Sequence, residues 1–164
     1  MELFQAIFSG SNVALLGAFL AVGLAGWGSA QGVGNAACAA GGFLAENPNM
    51  FGKVFILEAL PATQGIYGFV VAFMIMLRIG VLGGGDLSAV TLAQGGYLLF
   101  AALPIALVGL ISAQYQSKAA IAGINLVAKQ KDKLGNAITN AALVETYAIL
   151  SLLISMLLIM NFSI

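Results

Sequence analysis

Leu143-Val144-Glu145-Thr146-Tyr147-Ala148 places a single carboxylate near the middle of a long apolar run. The nearest formal charge before it is Lys133, and no acidic or basic side chain follows it. The pattern predicts a membrane helix over about 131–161, with Glu145 near its centre. An ionised side chain at that depth costs about 2.5–3.5 kcal/mol on insertion scales and more in simulations. The work open to such a group is narrow: it binds a proton or small cation, pairs with a base, or lines a water-filled path.

The rest of the chain fits a lipid environment. Of 164 residues, 61% are hydrophobic and 7% charged, with a mean hydropathy of +1.03, whereas a soluble domain carries roughly 25% charged residues. Six acidic and six basic residues give no net charge, which offers no footprint for nucleic acid and no polybasic lipid patch. Histidine is absent, so the usual general base and metal ligand are missing. Cys38 is the sole cysteine and excludes an internal disulfide. The opening Met1-Glu2-Leu3-Phe4-Gln5 lacks the cationic segment of a secretory signal, so the first apolar run is expected to be retained.

Polar punctuation at Glu46-Asn47-Pro48-Asn49, at Arg78 through Ser88, and at Lys129-Gln130-Lys131-Asp132-Lys133 divides the chain. Four helices are predicted, at about 11–46, 49–79, 88–128 and 131–161, each longer than the roughly 20 residues a bilayer core requires. Asn47-Pro48 suits the start of the second helix, and Ser11-Asn12 and Ser88 are candidate caps. Pro61 and Pro104 fall inside helices, where each removes one intrahelical hydrogen bond. Lys53, Lys129, Lys131 and Lys133 cluster around the first and third loops, against Arg78 at the second. The loops near 46–50 and 129–133 are therefore expected on the cytoplasmic side and both termini opposite.

A shift of 83 residues superposes the two halves without a gap. Ser29-Ala30-Gln31 falls on Ser112-Ala113-Gln114, Ala36-Ala37 on Ala119-Ala120, Gly52 on Gly135, Ala59-Leu60 on Ala142-Leu143, and Thr63 on Thr146. Residues 1–82 and 83–164 thus read as two tandem helical hairpins in parallel orientation. Glu145 falls on Ala62, so the duplicated unit has one central carboxylate.

The first helix carries small residues on two faces, Gly23, Gly26, Ala30, Gly34, Ala37 and Gly41 on one, Gly28, Gly32, Ala36 and Ala40 on its neighbour. The third repeats the device with Ala106, Gly109, Ala113, Ser117 and Ala120, whereas the fourth is bulky. Helices one and three are expected to crowd together inside, two and four to lie outside. The doubled small faces point to a crowded ring of copies.

At the depth of Glu145, helix two presents Leu60-Pro61-Ala62-Thr63-Gln64-Gly65-Ile66-Tyr67, and helix three presents Gln114 and Gln116. A hydroxyl, amides and the Leu60 carbonyl beside Pro61 supply uncharged oxygens around one carboxylate, the arrangement preferred by hard cations. A proton needs only the carboxylate, so the array favours sodium; a proton carrier, with the polar groups as helix glue, is the alternative. Glu58 and Lys118 are expected to pair with each other.

The two motifs Leu60-Pro61-Ala62-Thr63-Gln64-Gly65-Ile66-Tyr67-Gly68-Phe69 and Val144-Glu145-Thr146-Tyr147-Ala148-Ile149-Leu150 resemble those of the duplicated proteolipids of V-type ATPases, in particular the K subunits of bacterial sodium pumps. The resemblance covers nearly the whole chain. It implies an all-α membrane protein whose copies form a rotor ring, met by a stator membrane subunit with ion half-channels and by central-stalk subunits on the cytoplasmic side. It assigns the ion to Glu145, with Thr63, Gln64, Gln116 and the Leu60 carbonyl as ligands and Tyr67 hydrogen-bonded to the carboxylate. Gln114 stands as a possible alternative ligand, because two glutamines lie close together on helix three. By this reading the chain is no enzyme alone; it carries Na+, or alternatively H+, in a plasma-membrane complex driven by ATP hydrolysis elsewhere. A small four-helix cation channel or transporter is the rival from another class.

Overall fold

The computed structural model describes residues 8–162, so residues 1–5 and the expectation attached to them lie outside it. Among the described residues, four helices are long and apolar enough to cross a membrane: α1 (Gly10–Glu46), α2 (Pro48–Arg78), α3 (Leu92–Lys129) and α4 (Leu134–Met160). They form two antiparallel hairpins, α1/α2 and α3/α4. At 1.5 Å per residue, the 37 residues of α1 and 38 of α3 extend about 55 Å, well past the ~30 Å hydrocarbon core.

Two cap assignments shift. Ser9, rather than Ser11-Asn12, opens α1, its hydroxyl accepting from the Asn12 N–H at 3.3 Å. Ser88 belongs to a separate 3-10 turn, Leu87–Ala89, where Asp86 accepts from its N–H and hydroxyl; these bonds hold the Asp86 carboxyl below the usual carboxylate range. That turn delays α3 to Leu92, where Thr91 and Gln94 close a capping box. Asn47 precedes Pro48 but makes no side-chain cap, its amide donating to the Phe43 carbonyl instead. The Gly-rich loop is hydrogen-bonded rather than slack: Gly80, at φ 84°, lets Val81 donate to Met76 and Gly80 to Leu77, a Schellman closure of α2.

α1 and α3 run side by side in the same direction, nearly backbone to backbone. A Cβ on Gly28 would stand 2.6 Å from the Leu110 carbonyl oxygen, and one on Gly17 2.8 Å from the Leu99 Cα. Glycine at both places permits the approach, as the stripe of small residues predicts. The Ser117 hydroxyl adds a bond to the Gly32 carbonyl at 2.7 Å. α2 packs on α1 and α4 on α3, outside this pair. Arg78 at the end of α2 donates to the Met160 carbonyl of α4, while Lys53 donates to Lys131 at the opposite end.

The two prolines act differently. Pro61 converts Leu60–Ala62 into a 3-10 turn, whereas α3 stays α-helical through Pro104. Next to Pro104, the buried Ser155 hydroxyl accepts from the Ile105 N–H at 3.4 Å. Two apolar clusters result, one with Ala21, Val71, Ile75, Leu98 and Ile105, the other with Ala40, Leu57, Ala120, Ile124 and Val127. Between them lies a polar layer containing the fully buried Gln64 and Gln116.

Candidate functional site

Pro61 is where the site begins. Without an N–H it cannot continue the α-helical ladder, and the chain passes through one tight turn before Thr63 restarts the helix. Thr63 Oγ1 donates back to the Leu60 carbonyl at 3.1 Å, which fixes both oxygens at the break. Ser29 of α1 clips the same turn from the other side. Its hydroxyl accepts from the Gly65 N–H at 2.7 Å and donates to the Ala62 carbonyl at 3.4 Å.

From this turn a continuous network runs to Glu145. Thr63 Oγ1 also lies 3.4 Å from Gln64 Oε1; Gln64 Nε2 donates to Gln116 Oε1; and Gln116 Nε2 donates to Glu145 Oε2 at 3.4 Å and to the Ala141 carbonyl at 3.3 Å. The second carboxylate oxygen, Oε1, accepts from the Tyr67 hydroxyl at 2.5 Å. Three helices thus meet at one half-buried carboxylate, and no buried side-chain nitrogen or oxygen among the described residues lacks a partner. The low dielectric of this layer strengthens each bond and makes any missing one costly.

Six residues singled out from the sequence, Leu60, Thr63, Gln64, Tyr67, Gln116 and Glu145, stand in this network. Gln114 does not. Positions two apart on a helix face nearly opposite ways, so while Gln116 turns to Glu145, Gln114 turns to α1 and donates to Gln31 Oε1 at 2.9 Å. Nor do Glu58 and Lys118 pair. Lys118 lies on the exposed α1–α3 side with Gln31, Asn35 and Gln114, its ammonium 4.8 Å from the Tyr115 ring centre, and the only ion pair among the described residues is Lys133–Asp132. Ser29 and the Ala141 carbonyl are additions. The one signal for Ser29 was its recurrence as Ser112 in the repeat; a backbone carbonyl in an unbroken helix gives none.

Chemically, one carboxylate with hydroxyl, amide and carbonyl oxygens nearby suits a monovalent hard cation. A divalent ion would want more anionic ligands, and no cluster of three acidic, cysteine or histidine side chains occurs among the described residues.

Known proteins share this arrangement of sequence. The family profile of the ATP synthase C subunit matches residues 16–75 and again residues 99–158, two segments that start 83 residues apart. The V-type sodium ATPase subunit K of Enterococcus hirae is 45% identical over 152 residues, covering 93% of this chain and 93% of that one. The A-type ATP synthase subunit K of Methanocaldococcus jannaschii is 41% identical over 146 residues, 89% of this chain and 61% of its own length.

Proposed function

We propose, since this chain belongs to the family of ATP synthase C subunits, that it is the rotor-ring subunit of a V-type ATPase and carries one sodium ion per chain at Glu145. As a member of that family it is an integral membrane, ion-translocating subunit of a rotary complex, and not itself a catalyst. Residues 1–82 and 83–164 form its two repeats. Identical copies make the ring, a stator subunit with half-channels exchanges the ion, and a central stalk engages the loops near 46–50 and 129–133, which the lysine count assigns to the cytoplasm.

The observation that carries the reading is the hydrogen-bonded network that joins Glu145 to the oxygens of Leu60, Thr63, Gln64 and Gln116. Sodium, as cargo, would draw on the carboxylate and these neutral oxygens, with Tyr67 holding the carboxylate in place. The logic is charge neutralisation: an ionised Glu145 resists entering hydrocarbon, whereas an occupied site is neutral and passes. The name of the Enterococcus hirae relative adds support for sodium. With one carboxylate per four helices, fewer ions cross per turn and each is driven further uphill, which favours a pump over a synthase. Proton carriage is the second reading, because the carboxylate alone suffices for it.

Carbodiimide labelling decides between them, since the reagent needs a protonated, accessible carboxyl. In membranes at fixed pH and at ionic strength set by potassium, sodium is expected to slow modification of Glu145. Labelling that responds to pH but not to sodium would leave a proton ring, with the oxygen array as scaffold.

A further inference from the structure

α1 carries no residue of the network that ends at Glu145, yet two of the helices that do are fastened to it within a single turn. Ser29 accepts from the Gly65 N–H and donates to the Ala62 carbonyl, so it grips α2 on both sides of Thr63 and Gln64. One turn further along α1, the Gly32 carbonyl accepts from the Ser117 hydroxyl at 2.7 Å, and Ser117 is the chain neighbour of Gln116. Both serines are buried. Gly32 is wedged between the two helices: a Cβ there would stand 2.8 Å from the Pro61 Cβ and 2.9 Å from the Ala113 carbonyl oxygen.

Such a grip answers a weakness in α2. Pro61 leaves a 3-10 turn at the place where the oxygens of Leu60, Thr63 and Gln64 must be held. A 3-10 turn inside a helix has poorer hydrogen-bond geometry and is a natural hinge. Gln64 and Gln116 are joined through flexible amide side chains, which follow the two backbones rather than fix them. The repeat shows that the grip belongs to the break. Stepped on by 83 residues, Ser29 becomes Ser112 and Gly65 becomes Ala148. There the partner helix is unbroken, and the Ser112 hydroxyl donates to the Gly109 carbonyl of its own helix at 3.4 Å. Ala148 also has the Cβ that Gly65 lacks; at Gly65 it would stand 3.2 Å from the Ser29 Cβ and from its hydroxyl oxygen. The serine recurs in both halves and bridges only where the partner helix is broken. Ser117 falls on Gly34, which has no hydroxyl to offer.

We propose that Ser29 and Ser117 are positioning residues that use α1 as a fixed post, setting the distance between the α2 oxygens and Gln116 and thereby which cation the site prefers. Choice between hard cations of equal charge follows cavity size and the rigidity of the ligands. Groups that hold ligands from behind typically cost about 10–100-fold in ion affinity when removed.

The inference rests on the sodium reading, and the unsubstituted protein tests that reading separately. In membranes at fixed pH, with ionic strength set by potassium, protection of Glu145 against carbodiimide is titrated with sodium and with lithium, the smaller cation of the same charge. Ser29→Ala is expected to require about tenfold more sodium for half-protection and to bring the sodium and lithium values closer together. Ser117→Ala should move both in the same direction by less. Ser112→Ala, which deletes a hydroxyl bonded within one helix, should change neither. A bond that only stabilises the fold would lower the temperature at which the solubilised protein unfolds and leave the lithium-to-sodium ratio untouched. An untouched ratio in both Ser29→Ala and Ser117→Ala overturns the inference, as do equal values for the two cations in the unsubstituted protein. If Ser29→Ala fails to accumulate in membranes, Ser117→Ala carries the same test. Absence of any sodium protection in the unsubstituted protein overturns the sodium reading and this inference with it.

Discussion

The turn at Leu60-Pro61-Ala62-Thr63-Gln64 and its repeat partner Leu143-Val144-Glu145-Thr146-Tyr147 share one bond and little else. In both, the threonine hydroxyl donates to the carbonyl three residues earlier, at 3.1 Å to Leu60 and 2.7 Å to Leu143. Around that shared bond the halves have diverged. The first has a proline that breaks the helix and a fully buried glutamine; the second has an unbroken helix, a carboxylate, and a tyrosine facing outward. The proposed site is thus divided by labour: the first half offers the carbonyl, hydroxyl and amide of a broken turn, and the second an amide and the one charge on unbroken helices.

Moving the charge puts the greatest stress on this division. Glu145→Gln removes the one anion, and loss of a buried charge partner costs about 2–5 kcal/mol. ATP-driven uptake of radioactive sodium into vesicles should then fall to background. Adding Ala62→Glu to that variant is expected to restore nothing, because the counterparts of Gln64 and Gln116 are Tyr147 and Val33. Recovered uptake would mean that the halves are equivalent. Next in size is Gln116→Leu. It strips Glu145 of a donor and leaves the buried Gln64 Nε2 without its acceptor, a loss worth about 1–3 kcal/mol. Sodium protection against carbodiimide should require at least about tenfold more sodium.

Much of this was legible in the sequence because membrane helices announce themselves by length and by charge. The isolation of Glu145 and the 83-residue repeat are plain from the order of residues alone, whereas the break at Pro61 and the unbroken helix at Pro104 are not. Which face of a long apolar helix points where is another matter. α3 is apolar nearly all round, so no periodicity separated Gln114 from Gln116; only the close crossing at Gly28 and Leu110 turns one toward α1 and the other toward α4. The same rotation carries Lys118 away from Glu58. Ser29 showed only as a repeat of Ser112, and its role stayed hidden for a related reason, since its task is to serve backbone groups at a proline break on another helix.

Tyr67→Phe is a smaller perturbation, and one that touches only the link across the halves. The phenol donates to Glu145 Oε1, and a hydrogen bond to a charged group is worth about 1.5–3 kcal/mol. At fixed pH without sodium, the carboxyl should react faster with carbodiimide, by roughly tenfold at the lower end of that range. An unchanged rate would mean that the phenol is only packing.

The finest test sets the two threonines against each other. Thr63→Ala and Thr146→Ala delete the same hydroxyl-to-carbonyl bond, one where a helix restarts after Pro61 and one inside an unbroken helix, so counted by that bond alone the two variants should be indistinguishable. They are not expected to be. Thr63 Oγ1 lies within reach of Gln64 Oε1 in the network that leads to Glu145, and its removal should weaken sodium protection by about 1 kcal/mol, several-fold in concentration. Thr146 is exposed and bonds only to its own helix, where a substitution is worth about 0.5 kcal/mol or less. Equal losses of sodium affinity would place Thr146 in the site and undo the division between the halves. A loss confined to Thr63→Ala would locate that division at the level of a single hydroxyl, with the backbone bond held constant.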